Sequence, residues 1–431
     1  MRRKAIIIGA AGRDFHSFNT FFRGNENYEV VCFTAAQIPG IAERKYPPSL
    51  AGAQYPGGIP IHPEENLEKL ITENKIDVAV FSYSDVSYAH VMHVASRAMA
   101  AGASFMLPGP NDTMIKSSKK VLAVCATRTG AGKSPLSKLL TKTFGKKLAV
   151  IRHPMPYGDL EKQAVQRFKT LKDLDKHDCT IEEREEYEGH IKNGAALFAG
   201  VDYQKILAEA EKGADFILWD GGNNDFPFYQ PDLMVTVADA LRPGHEMQYY
   251  PGEVNLRMAD IILISKHSQN PEGAKQIEEN AKKANPKAKI FKADLELTID
   301  ADIGGKKVLI VEDGPTVTHG GMPYGAGYLI AKREGAEILD PRTYAKGSIK
   351  QTYEKYSHMK EVLPAMGYGK EQMKELEETI NASPAEIVVT GTPIDLSFSI
   401  KTEKPIAHVK YTYRESEIAP LIEEIRGRLG I

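Results

Sequence analysis

Short apolar runs and longer segments of helical period alternate along the whole chain. In the first stretch "KAIIIGA", "YEVVCFTA", "DVAVFSYS" and "ASFMLPG" predict strands, with "LEKLITEN" and "SYAHVMHVASRAMAAG" as helices between them. This strand–helix–strand alternation predicts a parallel, doubly wound sheet. The polar, turn-rich "GPNDTMIKSSKK" closes the stretch, so a first α/β domain is expected over residues 1–118. A second set follows: "VLAVCAT", "KLAVIRHP", "FILWDGG", "LMVTVAD", "DIILISK", "AKIFKAD" and "KVLIVEDGP". These runs are rich in Val, Ile and Leu with little alternation, as strands covered on both faces are. They predict a domain over residues 119–345 with a mainly parallel sheet. The acidic "TIEEREEYEGHIK" between them reads as a solvated helix face. Residues 346–431, with strands "EIVVTGT" and "PIAHVKYTY", are expected to form a C-terminal α/β extension packed on the second domain.

Composition changes this picture little. A chain of 431 residues exceeds one hydrophobic core. A net charge of −2 gives no electrostatic reason to expect nucleic acid or an anionic membrane as partner. Cys32, Cys125 and Cys179 are widely separated, which implies a reducing compartment and no disulfide framework. No window is long enough to span a bilayer, and the apolar run after "MRRK" is too short for a signal sequence. A soluble, cytoplasmic protein is expected.

The chemistry begins at "CATRTGAGKSPLSKLL". A buried strand runs into a glycine-containing loop and then into a helix, the order a phosphate-binding loop needs for its N–H groups to converge on an anion. Thr129, Gly130, Ala131, Gly132, Lys133 and Ser134 are the expected nucleotide cradle. Lys133 would reach the β- and γ-phosphates, and the Ser134 hydroxyl would sit on Mg²⁺. Thr127 stands where the usual motif opens with glycine. A second carboxylate at a neighbouring strand end is required for the metal, and "DFILWDGGNND" offers Asp220. Asp225 reads equally as an accessory acid or a turn former. Arg128 reads as a phosphate contact or a solvated side chain.

Three polar, Gly/Pro-rich loops follow other strands and should meet the same sheet edge. "VIRHPMPYGDL" contributes Arg152, His153, Tyr157 and Asp159; "ADALRPGHEMQYYPGE" contributes Arg242, His245, Glu246 and Tyr250; "VEDGPTVTHGGMPYGAG" contributes Glu312, Asp313, Thr318 and His319. Arg152, His153, Arg242, His245 and His319 are catalytic candidates, alongside Lys133 and Asp220, because clustered cations suit an anionic substrate. Arg13 and His16, in "IIIGAAGRDFHSF", could line a substrate pocket together with Tyr157, Asp159, Glu246 and Thr318.

The motifs "RTGAGKS", "RHPMPYGDL", "WDGGNNDFPFY", "RPGHE", "YYPGE" and "EDGPTVTHGGMPYGAG" resemble those of the predicted P-loop GTPases named for cyclic 2,3-diphosphoglycerate synthetase. The resemblance covers nearly the whole chain. It implies a Rossmann-like N-terminal domain before a SIMIBI-type P-loop NTPase domain, and a homodimer. It also implies an ATP- and Mg²⁺-dependent enzyme that closes an intramolecular phosphoanhydride in a small phosphorylated acid, releasing ADP and phosphate. Where that family carries an Asn-Lys-x-Asp-like stretch, this chain has Ser265, Lys266, His267 and Ser268. The missing carboxylate favours ATP over GTP and leaves Lys266 to stack on the base. A nucleotide-dependent switch or chaperone acting on a protein is the alternative.

Overall fold

The computed structural model describes residues 2–10, 12–35, 41, 43–153, 158–318, 320–365, 370–392, 396 and 400–431. It is an α/β structure with mostly parallel strands in three large sheets and one two-stranded pair. The first sheet runs, edge to edge, Lys45–Tyr46, Ile59–Pro63, Tyr28–Ala35, Arg3–Ile8, Val78–Phe81 and Ser104–Met106. All its neighbours are parallel except the short first strand. Ile6, Ile7 and Ile8 are each fully buried, as an uninterrupted apolar strand between two helical layers should be.

The second sheet has eight strands in the order Gln166–Phe168, Ala196–Ala199, Leu148–Arg152, Phe216–Asp220, Lys120–Ala126, Leu233–Asp239, Ile261–Ser265 and Lys289–Ala293. Only the first of these is antiparallel to its neighbour. The strand Lys120–Ala126 is therefore central, flanked by two strands that end in Asp220 and Asp239. Asp220 meets Lys133 at the start of the helix after the central strand, and Asp239 reaches the intervening loop through Arg242 and Lys266. A short antiparallel pair, Val86–Ser87 with Tyr249–Tyr250, joins the first unit to this sheet edge.

The third sheet corrects the sequence expectation. Lys307–Asp313, expected in the second sheet, instead pairs with Ile387–Thr390, Glu337–Ile338 and Leu363–Ala365. Leu295–Ile299 and Ile406–Tyr413 complete it. The boundary expected at 345/346 thus does not coincide with a change of sheet. Buried apolar strands are interchangeable by composition, and only their partners decide which sheet they enter. The terminal helix Glu415–Leu429 does return to the second sheet, where Ile418, Leu421 and Ile425 join its core. The acidic run is corrected too. Helix Ile181–Lys192 buries Glu183, Tyr187, Glu188 and His190 against the helix Lys133–Phe144. Among the described residues no helix is long and apolar enough to cross a membrane.

Candidate active site

The strand Lys120–Ala126 ends, the chain turns through 127–132, and the helix Lys133–Phe144 begins. Gly130 (φ 78°) and Gly132 (φ 114°) take left-handed conformations that side chains resist. A Cβ on Gly132 would also collide with Tyr413 Oη and Ser265. Gly130 is exposed, whereas Thr129 and Ser134 are half-buried, so the loop presents its crest to solvent. Thr127 needs no glycine because it continues the ladder, its N–H donating to Val237 O (2.9 Å). The close approach is made from the other side: Gly252, of "YYPGE", packs where any Cβ would strike the Thr127 carbonyl.

Lys133 Nζ donates to Asp220 Oδ1 (2.7 Å). The same oxygen accepts from Ser137 Oγ (2.9 Å), while Oδ2 faces Arg152 Nη1 (2.8 Å) and His190 Nε2 (3.1 Å). Arg152 also pairs with Glu186. Burial works against ionisation of Asp220, but Arg152 and Lys133 hold its carboxyl well below the usual range. Burial likewise pulls His190 down, against the opposing pull of Asp220. Ser137, His190 and Glu186 are functional neighbours that sequence reading missed. Ser137 lies one helical turn from Lys133, a usable signal; His190 and Glu186 sat inside the charge run read as solvated.

The second flanking carboxylate, Asp239, was also missed, although it ends an apolar strand as Asp220 does. It accepts from Arg242 Nε (2.9 Å) and Lys266 Nζ (3.0 Å). Those cations also donate to loop carbonyls, Arg242 to Thr129 O (2.6 Å) and Lys266 to Gly130 O (2.9 Å). Lys266 therefore grips the loop rather than awaiting a base, and burial lowers its pKa. Arg242 is a brace of the same kind. Arg152 is no free substrate ligand either, being sealed beneath Asp220.

The remaining candidates separate. Arg128 is not solvated. It is clamped by Asp85 (2.7 Å), His245 Nδ1 (2.7 Å) and the Tyr249 ring (3.6 Å). His245 is spent in that clamp, its pKa lowered by burial and by Arg128. Glu246 turns to helix Pro271–Ala284 and accepts from Asn280 (2.7 Å). Asp159 accepts the N–H groups of Glu161 and Lys162 in its own exposed turn. Thr318 donates to Gly314 O (2.7 Å) on a loop of the third sheet. His16 stacks on Phe228 (3.9 Å), bonds to Thr113 O (2.6 Å) and is pushed down to about 3 by burial, a neutral packing residue. Tyr157 and His319 lie outside the described residues.

Arg13 and His153 do converge. Arg13 Nη1 lies 3.9 Å from Asp225 Oδ1, and its guanidinium covers the Phe226 ring at 3.4 Å. His153 Nε2 lies 3.0 Å from Asp225 Oδ2. Both Nη atoms of Arg13, Asp225 Oδ1 and Tyr250 Oη are buried and face one another without well-aligned hydrogen bonds, Arg13 acting on both the Asp225 carboxylate and the Tyr250 hydroxyl. Buried polar atoms left in this state are costly unless a ligand takes them.

Fold and site together define an α/β protein with a phosphate-binding loop at the carboxyl edge of a mainly parallel sheet. No protein-family model matches the chain. It is 59% identical over 421 residues to arginine synthetase ArcE of Thermococcus kodakarensis, covering 96% of this chain and 94% of that protein. The chain belongs to that synthetase family. Cyclic 2,3-diphosphoglycerate synthetase of Thermococcus sibiricus is 23% identical over 279 residues, 58% of this chain and 64% of that protein. Among solved structures, LpxK from Aquifex aeolicus in complex with ATP gives a TM-score of 0.45 at 14% identity, over 73% of this chain and 90% of that one.

Proposed function

We propose that the protein is an ATP- and Mg²⁺-dependent synthetase that builds arginine or a close guanidino relative. One observation carries the nucleotide half: Lys133 and Asp220 meet at 2.7 Å beneath a glycine loop whose crest is open. The donor set fits a SIMIBI-type P-loop. Lys133 would swing from Asp220 to the β- and γ-phosphates, which frees Oδ1. Ser134 and Asp220 would then hold Mg²⁺, whose charge neutralises the phosphates. The loop N–H groups orient the nucleotide. Arg242 and Lys266 keep those groups aligned by fixing the carbonyls behind them.

The substrate half rests on charge balance and on the 59% relative. The three arginines expected to receive a phosphorylated acid already face carboxylates: Arg13 with Asp225, Arg152 with Asp220 and Glu186, and Arg242 with Asp239. A polyanion would have to break these pairs. A zwitterionic amino acid suits them better, its carboxylate toward Arg13 and Tyr250 and its ammonium toward Asp225. Transfer of the γ-phosphoryl group of ATP to a ureido oxygen, with ADP as the leaving group, would in turn make that oxygen a leaving group. Attack of ammonia at the carbon, with loss of a proton, would then expel phosphate and form the guanidinium.

The test is an assay of the purified protein with Mg·ATP, a ureido amino acid and ammonia. Arginine and phosphate appearing in equal amounts is the expected result. The distant relative favours a second reading, in which 2,3-diphosphoglycerate alone stimulates ATP consumption. Slow hydrolysis indifferent to both additions would overturn the enzyme reading and leave the switch.

A further inference from the structure

A second polar constellation lies just beyond the strand Ile261–Ser265 and plays no part in the chemistry above. His267 follows that strand, Asp294 links the second sheet to the third, and Glu417 sits in the first turn of the terminal helix. One ligand-type atom from each lies within 4.8 Å of the others. His267 Nε2 stands 3.4 Å from Glu417 Oε2 and 3.8 Å from Asp294 Oδ2. The first is a long hydrogen bond and the second is beyond hydrogen-bond reach. The shorter separation matches the roughly 3.3–3.4 Å edge of a tetrahedron whose N and O ligands stand about 2.0–2.1 Å from a zinc-sized ion, and the longer one is somewhat wider.

Asp294 supplies an independent sign. It is 2% exposed, and its Oδ2 has no hydrogen-bond partner, although Oδ1 accepts from the Ser268 N–H (3.1 Å). Arg414 is the competing cation. Its Nη1 rests on Glu417 Oε1 and stays 3.9 Å from Asp294 Oδ2, which leaves Glu417 Oε2 and Asp294 Oδ2 turned toward His267. The Asp294 N–H also donates to Glu417 Oε2 (2.7 Å), fixing that carboxylate in place.

We propose that His267, Asp294 and Glu417 bind one divalent transition-metal ion of the zinc class, with solvent completing its coordination. One imidazole and two carboxylates suit Zn²⁺ or Co²⁺ better than Ca²⁺. The position gives the ion a task. His267 adjoins Lys266, which grips Gly130 O; Glu417 lies four residues past Tyr413, whose hydroxyl donates to Gly132 O (3.0 Å). The ion therefore ties the terminal helix and the third sheet to two side chains that shape the phosphate loop. It is separate from the nucleotide's Mg²⁺.

The experiment titrates chelator-stripped full-length protein with Co²⁺ and then Zn²⁺, without nucleotide. One equivalent should bind, with visible Co²⁺ absorption that Zn²⁺ abolishes and a Tm that rises with Zn²⁺. His267→Ala and Glu417→Gln should each weaken the Zn²⁺ Kd by about tenfold or more. Lys133→Ala should leave it unchanged. Glu417→Gln preserves the helix start, so it carries the test if His267→Ala does not fold. Failure to bind one equivalent, or an unchanged Kd in the folded variants, would overturn the proposal.

Discussion

Asp220 and Glu312 are both acids at the carboxyl ends of central parallel strands, and both are almost fully buried. Their surroundings differ. Asp220 meets Lys133, Arg152 and His190 and stays ionised far below the usual range. Glu312 meets the backbone N–H groups of Tyr328, Gly327 and Gly325 at the start of helix Ala326–Arg333. Burial outweighs those bonds, Asp313 adds to the effect, and the carboxyl is pushed up to about 7. Equal burial thus leaves the two carboxyls shifted in opposite directions, and the presence of formal cations decides which. Of these two strand-end acids, only the one that lysine and arginine share keeps its charge across the neutral range.

The sharpest way to break the comparison is at Lys133. Lys133→Ala should lower ATP turnover by about 100-fold or more while the far-UV CD spectrum is unchanged, because the lysine's charge is needed on the phosphates. Retained turnover would detach the loop from catalysis. Asp220→Asn should cost about 3–5 kcal/mol in denaturant unfolding, since it removes the carboxylate that Lys133 and Arg152 share and leaves only Glu186 beside these buried cations. A loss under about 1 kcal/mol would mean that solvent reaches them.

At Glu312 the effect runs with pH. The folded carboxyl titrates near 7 against 4.5 when unfolded, so the native state binds more protons across that window. Stability should therefore fall as pH rises from about 4.5 to 7, by about 3 kcal/mol from this group, and then level off. Glu312→Gln should flatten that slope in Tm measured from pH 5 to 8; an unaltered slope refutes the assignment. The smallest effect is expected from Tyr413→Phe, which removes one hydrogen bond to Gly132 O and should cost about 0.5–1.5 kcal/mol. Its nucleotide Kd should rise only a few-fold by calorimetry.

What the chain's own order determined is local. The apolar run before Thr127, the glycines at 130 and 132 and the helix after them are set by near-neighbour sterics and period, so they can be read in sequence. Asp220 could be read for the same reason, as a polar residue closing a buried strand. The tertiary structure alone decided that Lys307–Asp313 enters a third sheet, because a strand's apolar pattern does not name its partner. It also decided that Arg152, Arg242 and Lys266 hold protein carboxylates, and that His190 lies under Asp220 rather than in solvent. Charge pairing here depends on distance in space between residues 3 to 68 positions apart, and a sum of Coulomb terms leaves no spacing for the eye to find.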